Sequence, residues 1–268
     1  MSAEAANTRV EAGRDVPRSL SILLPVRNEG INLRIMLKIL RAVLEETHEV
    51  LVVYDSPADT SIAVIDEIKR SYPELRGVHN TLGRGVVNAI RAGVAVAEGD
   101  IILIFAADEV GPVLAIEDML VLIREGCELV SCTRYAHGGK RLGGSVVGGI
   151  LSRCANWLFH RLCASPFSDA TTGIKMFRKN VFSRLNLESR PVGWAVAFEM
   201  AIKAQHAGLR LGEVPIVSID RLYGGESTFR IGPWVAEYSR WFWWGARAAF
   251  ANKQQSSGIT VRIPSFYR

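Results

Sequence analysis

Short apolar runs, each closed by polar residues and each separated from the next by a helical pattern, constrain this chain more than any other feature. Ser19 to Val26 (SLSILLPV), Glu49 to Val53 (EVLVV), the weaker Gly77 to Asn80, and Asp100 to Phe105 (DIILIF) read as strands. Between them lie an apolar pattern at Ile31, Ile35, Leu37, Ile39, Leu40 and Val43, a second at Ile62, Ile65 and Ile68, and a third over Val86 to Ala97. These spacings predict helices. Strands that are apolar throughout, rather than alternating, are covered on both faces. The expected fold is therefore α/β: a Rossmann-like, mostly parallel sheet with helices on both faces.

In such sheets ligands collect beyond the carboxyl ends of the strands. Arg27-Asn28-Glu29, Asp55-Ser56 and Asp108-Glu109 each follow a predicted strand, so all three belong to one rim. The second half is less regular. Leu129 to Thr133 and Val214 to Ile219 read as strands, and Asp169 to Phe177 as a turn running into one. Ser145 to Leu162, Phe198 to Ala207 and Trp234 to Phe250 read as helices. With no internal repeat or low-complexity linker, residues 19–230 are expected to form one domain. A flexible segment precedes it at 1–18, and an aromatic, basic helix and tail follow at 231–268.

Met1 to Pro17 is polar and lacks the apolar stretch of a secretory signal. No segment reaches the roughly 18–20 uninterrupted apolar residues of a membrane span. A net charge of +5 suits anionic ligands but is too small to argue for nucleic acid. Cys127, Cys132, Cys154 and Cys163 show no metal-binding spacing, which fits a reducing, cytoplasmic setting.

The rim segments occur in a recognisable order. Leu24-Pro25-Val26-Arg27-Asn28-Glu29 is followed by Asp55-Ser56, Gly83-Arg84-Gly85, Ala107-Asp108 and Thr133-Arg134-Tyr135. Then come Asp169 to Arg178, Phe198-Glu199, Glu213-Val214-Pro215-Ile216, and Arg221 with Gly224 to Ser227. Together they resemble the family 2 glycosyltransferases of the GT-A fold, in the branch of dolichyl-phosphate mannose synthase and the polyprenyl-phosphate sugar transferases. The resemblance covers residues 19 to 230. Two departures thin its carboxylates. Ala106 stands where the family's Asp-x-Asp has its first acid, and Tyr54-Asp55-Ser56-Pro57 stands for an Asp-Asp-Gly-Ser turn. Val110 replaces a glutamine often found there.

The resemblance implies an inverting transfer of a sugar from a nucleoside diphosphate to an acceptor, with a polyprenyl or dolichyl phosphate expected. It implies Mg²⁺ or Mn²⁺ on Asp108, with Glu109 as a second ligand, because a divalent cation on one or two carboxylates neutralises a diphosphate. An acidic pair at a helix start is the plainer alternative. Pro25, Arg27, Glu29, Asp55 and Ala107 are implied for the nucleoside end, where carboxylates accept from base N–H or ribose hydroxyl groups. Arg84 would offer a guanidinium to phosphate, and Arg221 and Ser227 would sit in a loop closing over the donor. Arg134 is implied for the acceptor's phosphate, with Lys140 and Arg141 extending that surface.

Asp169 is implied for the reaction centre. With a hydroxyl acceptor it would be a general base; with an already anionic phosphate it would only position groups. Two other readings compete: a non-catalytic nucleotide-binding relative with a degraded metal site, and a soluble transferase to a saccharide or small-molecule hydroxyl.

The helix over Ser145 to Leu162 places Val146, Val147, Ile150, Leu151, Cys154, Trp157 and Leu158 on one face, with Gly149, Arg153, Asn156 and His160 opposite. Downstream, Trp234, Trp241, Trp243 and Trp244 lie near Arg240, Arg247 and Lys253. Aromatic and basic residues on one amphipathic helix favour a lipid headgroup boundary. Peripheral contact with the cytoplasmic leaflet is expected; packing onto the domain or a dimer seam is the alternative.

Overall fold

The computed structural model describes residues 20–143, 146–219, 231–251 and 260–267. The first half alternates as expected: β1 (Leu20–Val26), α1 (Gly30–Val43), β2 (His48–Tyr54), α2 (Ser61–Ile68), β3 (Leu75–His79), α3 (Val86–Val96) and β4 (Ile101–Ile104). A 3-10 turn at Gly111–Leu114 leads into α4 (Ala115–Arg124) and β5 (Leu129–Thr133). The chain continues through β6 (Lys140–Leu142), α5 (Val146–Cys163), β7 (Lys175–Arg178), α6 (Lys179–Leu185) and α7 (Ala195–His206). It ends with β8 (Leu211–Pro215), β9 (Val217–Ile219), α8 (Ile231–Ala251) and β10 (Val261–Arg262).

Eight strands form one sheet in the order β10-β8-β5-β7-β4-β1-β2-β3. All pairs are parallel except those of β7, which runs antiparallel to both β4 and β5. The chain leaves β1 toward β2 and β3, then returns to place β4 on the other side of β1. This reversal opens a crevice at the carboxyl ends of β1 and β4.

The register aligns the rim. Leu51, Leu23, Ile104, Lys175, Ser131 and Glu213 form one transverse row across β2, β1, β4, β7, β5 and β8. Tyr54, Val26, Ala107 and Arg134 each lie three residues further along their chains. Asp55, Arg27 and Asp108 follow directly. β7 runs the other way, so the segment before it, with Asp169, reaches the same edge.

Helices α1, α2 and α4 cover one face of the sheet, and α3 and α5 to α8 contribute to the core on the other. On α1 the buried residues Leu33, Met36, Leu37 and Leu40 follow the helical repeat, each worth roughly 1.5–3 kcal/mol on full burial. Several elements depart from the sequence expectation, β6, α6 and β10 among them. The predicted strand Val214 to Ile219 is divided: β8 stops at Pro215, and Val217–Ile219 leaves the main sheet to pair with β6. The helix α4 was not anticipated, although Ile116, Met119, Leu120 and Ile123 carry its buried face.

The two aromatic-rich helices, α5 and α8, pack on each other. On α5 only Asn156, Phe159 and Cys163 are buried. Val146, Val147, Ile150, Leu151, Cys154, Trp157 and Leu158 face outward. The helix is thus inverted relative to a core helix, with its oily side exposed and Asn156 turned in. On α8, Trp243 and Phe250 are exposed, whereas Trp241 is fully buried and Trp234 half-buried. Trp241 is therefore a core residue rather than part of an interfacial belt.

Candidate functional site

Glycine geometry and buried carboxylates shape the rim locally. At the end of β1, Asn28 adopts φ 58°, and both Asp59 oxygens accept its N–H, at 3.1 and 3.0 Å. Ser61 Oγ accepts the Glu29 N–H at 3.1 Å, and Glu29 accepts from Asn32 at 2.7 Å. The β1–α1 turn is therefore fastened to the start of α2. Pro25 is half-buried, Arg27 exposed, and Glu29 half-buried with its carboxylate partly engaged.

After β2, Asp55 accepts from Asn80 Nδ2 at 2.7 Å through one oxygen and from the Gly85 N–H at 3.0 Å through the other. Asn80 also donates to the Gly83 carbonyl at 2.7 Å. Gly85 has φ +115°, and a Cβ there would lie 2.5 Å from Pro191 Cβ, so only glycine fits. Asp55 thus orders the Gly83-Arg84-Gly85 loop, leaving Arg84 exposed at its tip. Each Asp55 oxygen takes one bond and keeps capacity for another.

After β4, Ala107 is buried in the apolar layer, while Asp108 and Glu109 are half-buried at the edge. Ser218 Oγ donates to Glu109 at 3.2 Å, and a Cβ at Gly111 would meet the Val217 carbonyl at 2.4 Å. The acidic pair is thereby braced against β9. No group of three or more His, Cys, Asp or Glu residues suited to a metal occurs among the described residues. Asp108 and Glu109 do fit the kind of magnesium or manganese site that substrate phosphates and water complete.

The densest polar cluster follows β5. Arg134 closes its fork on the fully buried Asp169, Nε to Oδ2 at 2.6 Å and Nη2 to Oδ1 at 3.0 Å. Asp169 also accepts from Asn156 Nδ2 at 3.1 Å, Thr171 Oγ1 at 2.9 Å and the Arg134 N–H at 3.3 Å. Burial opposes ionisation of Asp169, yet the Arg134 guanidinium and the Thr171 hydroxyl hold its carboxyl below the usual aspartate range. Behind it, Glu213 accepts the Ser168 and Asp169 N–H groups at 3.0 and 3.1 Å and the Ser168 hydroxyl at 2.7 Å. Burial pushes Glu213 up to about 7 against those bonds. Lys175, fully buried, donates to Ser131 Oγ at 2.9 Å and the Thr172 carbonyl at 2.7 Å; burial lowers it to about 8 while Asp169 pulls the other way.

The register thus brings Arg27, Glu29, Asp55, Asp108, Glu109, Arg134 and Asp169 to one edge, and Ala107 beneath it. Arg221 and Ser227 lie outside the described residues. Sequence reasoning missed Asp59, Asn80, Lys175 and Glu213 as site-shaping groups. Asn80 closes a weak predicted strand and Asp59 carries no local signature, and nothing local marks Lys175 or Glu213 as buried.

A family model described as Glycosyl transferase family 2 matches residues 21–185. The dolichol-phosphate mannosyltransferase of Pyrococcus furiosus is 26% identical over 237 residues. That match covers 82% of this chain but 62% of the relative, so the chain spans less than two thirds of that protein. The polyprenol monophosphomannose synthase of Mycolicibacterium smegmatis is 25% identical over 235 residues, covering 82% of this chain and 88% of the relative. Among solved structures, glucosyl-3-phosphoglycerate synthase from Mycobacterium tuberculosis, in complex with Mn²⁺, UDP-glucose and phosphoglyceric acid, superposes with TM-score 0.64 at 17% identity. It covers 86% of this chain and 80% of its own, and it shares the fold.

Proposed function

The chain belongs to glycosyl transferase family 2, and from that premise we propose that it moves a sugar from a nucleoside diphosphate to a lipid phosphate acceptor with inversion. Residues 19–230 would be the catalytic unit, with 231–268 an aromatic, basic C-terminal helix and tail at the membrane interface.

The observation that carries this reading is the condition of Asp169. Its carboxylate is buried, ionised and saturated with donors. A general base needs a free lone pair and a pKa near the working pH, and Asp169 offers neither. Such a residue suits an acceptor that is already anionic, as a phosphate monoester is near neutral pH. The names of the Pyrococcus and Mycolicibacterium relatives, which specify dolichol phosphate and a polyprenol monophosphate sugar, support the same substrate class.

Each rim residue then has a role. Glu29 and Asp55, with Pro25 and Arg27 beside them, accept from base or ribose donors, and Ala107 keeps the floor beneath the donor apolar. Arg84 and the Gly85 turn face the diphosphate, with Arg221 and Ser227 assigned to the covering loop. Asp108 and Glu109 would hold Mg²⁺ or Mn²⁺, which supplies charge neutralisation for the departing diphosphate. Arg134, its fork closed on Asp169, fixes that carboxylate and leaves its remaining N–H donors toward the acceptor.

The outward apolar faces of α5 and α8 support peripheral contact with the cytoplasmic leaflet, where such an acceptor is anchored. Val146, Ile150 and Trp157 on α5 and Trp243 and Phe250 on α8 are all more than half exposed. No described helix is long and apolar enough to cross a membrane.

Calorimetry with UDP and GDP, with and without Mn²⁺, tests the reading. Metal-dependent affinity for one nucleotide, lost in Asp108→Ala, together with transfer from the matching nucleotide sugar to a polyprenyl phosphate, is expected. Metal-independent binding unaffected by Asp108→Ala would favour a non-catalytic relative. Transfer to saccharide hydroxyls but to no phosphate would remove the acceptor class.

A further inference from the structure

The chain from Asn186 to Trp194, between α6 and α7, forms no helix or strand, yet from Asn186 to Arg190 each residue's backbone is held by a charged side chain. Lys203 of α7 donates to the Asn186 carbonyl, Arg91 of α3 to the Leu187 carbonyl at 2.6 Å, and Arg240 of α8 to the Glu188 carbonyl at 3.2 Å. Glu199 of α7 accepts the Glu188 and Ser189 N–H groups, the latter at 2.8 Å. Glu237 of α8 accepts the Arg190 N–H at 3.0 Å. Loops ordinarily run over the surface and leave such groups to water. Here helices α3, α7 and α8 supply the partners.

The two carboxylates are interior groups. Glu199 is fully buried and Glu237 is 2% exposed. Lys203 pairs with Glu199 at 2.8 Å and Arg240 with Glu237 at 3.0 Å, so each buried charge is compensated as well as hydrogen-bonded. A buried ion pair adds little stability over apolar packing of the same volume. What these pairs supply is a fixed path for the chain.

That path runs onto two turns of the rim. Pro191 lies against Gly85, where an added Cβ would stand 2.5 Å from the proline's own. Gly85 caps α3, and its carbonyl accepts the Asn88 and Ala89 N–H groups, both at 3.0 Å. The loop is thus fastened to α3 twice, by Pro191 at the cap and by Arg91 within the helix. Trp194 lies against Gly173, just past the Asp169 to Thr172 turn, with a ring carbon 2.7 Å from where a Cβ would be.

We propose that this loop is a strap that positions the diphosphate turn, and that Glu237 is a positioning residue for the donor, acting through Arg190 and Pro191 on Gly85. The C-terminal helix then belongs to the donor site without needing to touch the nucleotide. The strap and both carboxylate anchors lie beyond residue 185, where the family match ends. The inference rests on the transferase reading for the identity of the ligand; the link from Glu237 to Gly85 does not.

Calorimetry on the full chain with UDP and GDP, in the presence of Mn²⁺, tests this. Whichever nucleotide the parent binds should bind roughly three- to tenfold more weakly to Glu237→Ala, as expected for a group coupled to a site it does not touch. Glu237→Gln keeps an acceptor for the Arg190 N–H and should recover part of the loss. Pro191→Gly leaves both carboxylate anchors in place, removes the contact with Gly85, and should weaken binding to a similar extent. Pro191 is exposed, so this variant carries the test should Glu237→Ala fail to fold. Val235→Ala, exposed on the same helix, is the control. Titrations well below each variant's thermal midpoint separate weaker binding from loss of folded protein. Linkage adds the reverse effect: bound nucleotide should slow hydrogen exchange at the Ser189 and Arg190 amides. Unchanged nucleotide affinity in folded Glu237→Ala or in Pro191→Gly would overturn the proposal and leave the loop a structural clamp. If the parent binds neither nucleotide, the transferase reading fails, and hydrogen exchange at Asn88 and Ala89 decides the strap alone. Faster exchange there in Glu237→Ala and Pro191→Gly supports it, and unchanged exchange removes it.

Discussion

Arg134 and Asp169 meet fork to fork, the guanidinium Nε and Nη2 reaching separate carboxylate oxygens at 2.6 and 3.0 Å. They come from opposite directions along the sheet. Arg134 follows β5, and Asp169 precedes the antiparallel β7. Breaking a buried pair of this kind leaves an uncompensated charge, at a cost of roughly 3–5 kcal/mol. Arg134→Ala and Asp169→Ala should each lower unfolding free energy by about that much. The double variant should be less damaged than the two single losses summed. Urea unfolding of the three variants, read as a double-mutant cycle, measures the coupling.

Asp59 touches no proposed ligand, yet both its oxygens accept the Asn28 N–H. Asp59→Ala should free the β1–α1 turn, costing roughly 1–3 kcal/mol through the unsatisfied amide. Nucleotide affinity should fall with it, because Arg27 and Glu29 flank Asn28. Calorimetry on Asp59→Asn, which keeps one acceptor, should show an intermediate loss.

Gly85→Ala combines a left-handed backbone with a clash against Pro191, whose Cβ would lie 2.5 Å away. Destabilisation of roughly 1–3 kcal/mol or more is expected, along with weakened binding at the phosphate end of the nucleotide. The same change at Gly232, where a Cβ would meet nothing within 4 Å, serves as the control in a thermal melt.

The buried Glu213 and Lys175 set the pH response. Burial raises Glu213 from 4.5 to about 7, so between those values the folded chain binds more protons than the unfolded one. Stability should therefore fall as pH rises through that window. Burial lowers Lys175 from 10.5 to about 8, so between about 8 and 10.5 the unfolded chain binds more protons, and stability should recover as pH rises. Denaturant midpoints measured across pH should flatten in the lower window for Glu213→Gln and in the upper one for Lys175→Met.

The tryptophans of α8 should separate by role. Trp241→Ala should destabilise by roughly 3–5 kcal/mol, since that side chain is fully buried. Trp243→Ala with Phe250→Ala should leave the melting temperature nearly unchanged and reduce flotation with anionic liposomes. Flotation unaffected by the exposed pair would argue against lipid contact through α8.

What the sequence made legible was local. The strand Ile101–Ile104 and the acids after it announce themselves as an apolar run closed by Asp108 and Glu109, and parallel register carries them to the edge. The periodicity of α5 was readable, but its orientation was not. Asn156 turns inward because Asp169 needs its amide, a contact thirteen residues away in sequence. Distant partners account for the remaining misses. Glu213 fastens Ser168 across 45 residues, and Asp59 fastens Asn28 across 31. The direction of β7 was likewise hidden, since four residues of strand carry no mark of their polarity.

That direction has a consequence for how such a protein can change. Every other rim group trails its strand, so trimming the chain ahead of it shifts a sheet register; Asp169 alone leads into its strand. The stretch from α5 to Thr172 can therefore be lengthened, shortened or recast without displacing the half that carries Asp55 and Asp108. On the proposed reading, the acceptor's side of the site hangs on a stretch whose length is not tied to the strands that seat the nucleotide, while Asp169 within it stays pinned by Arg134 and Asn156.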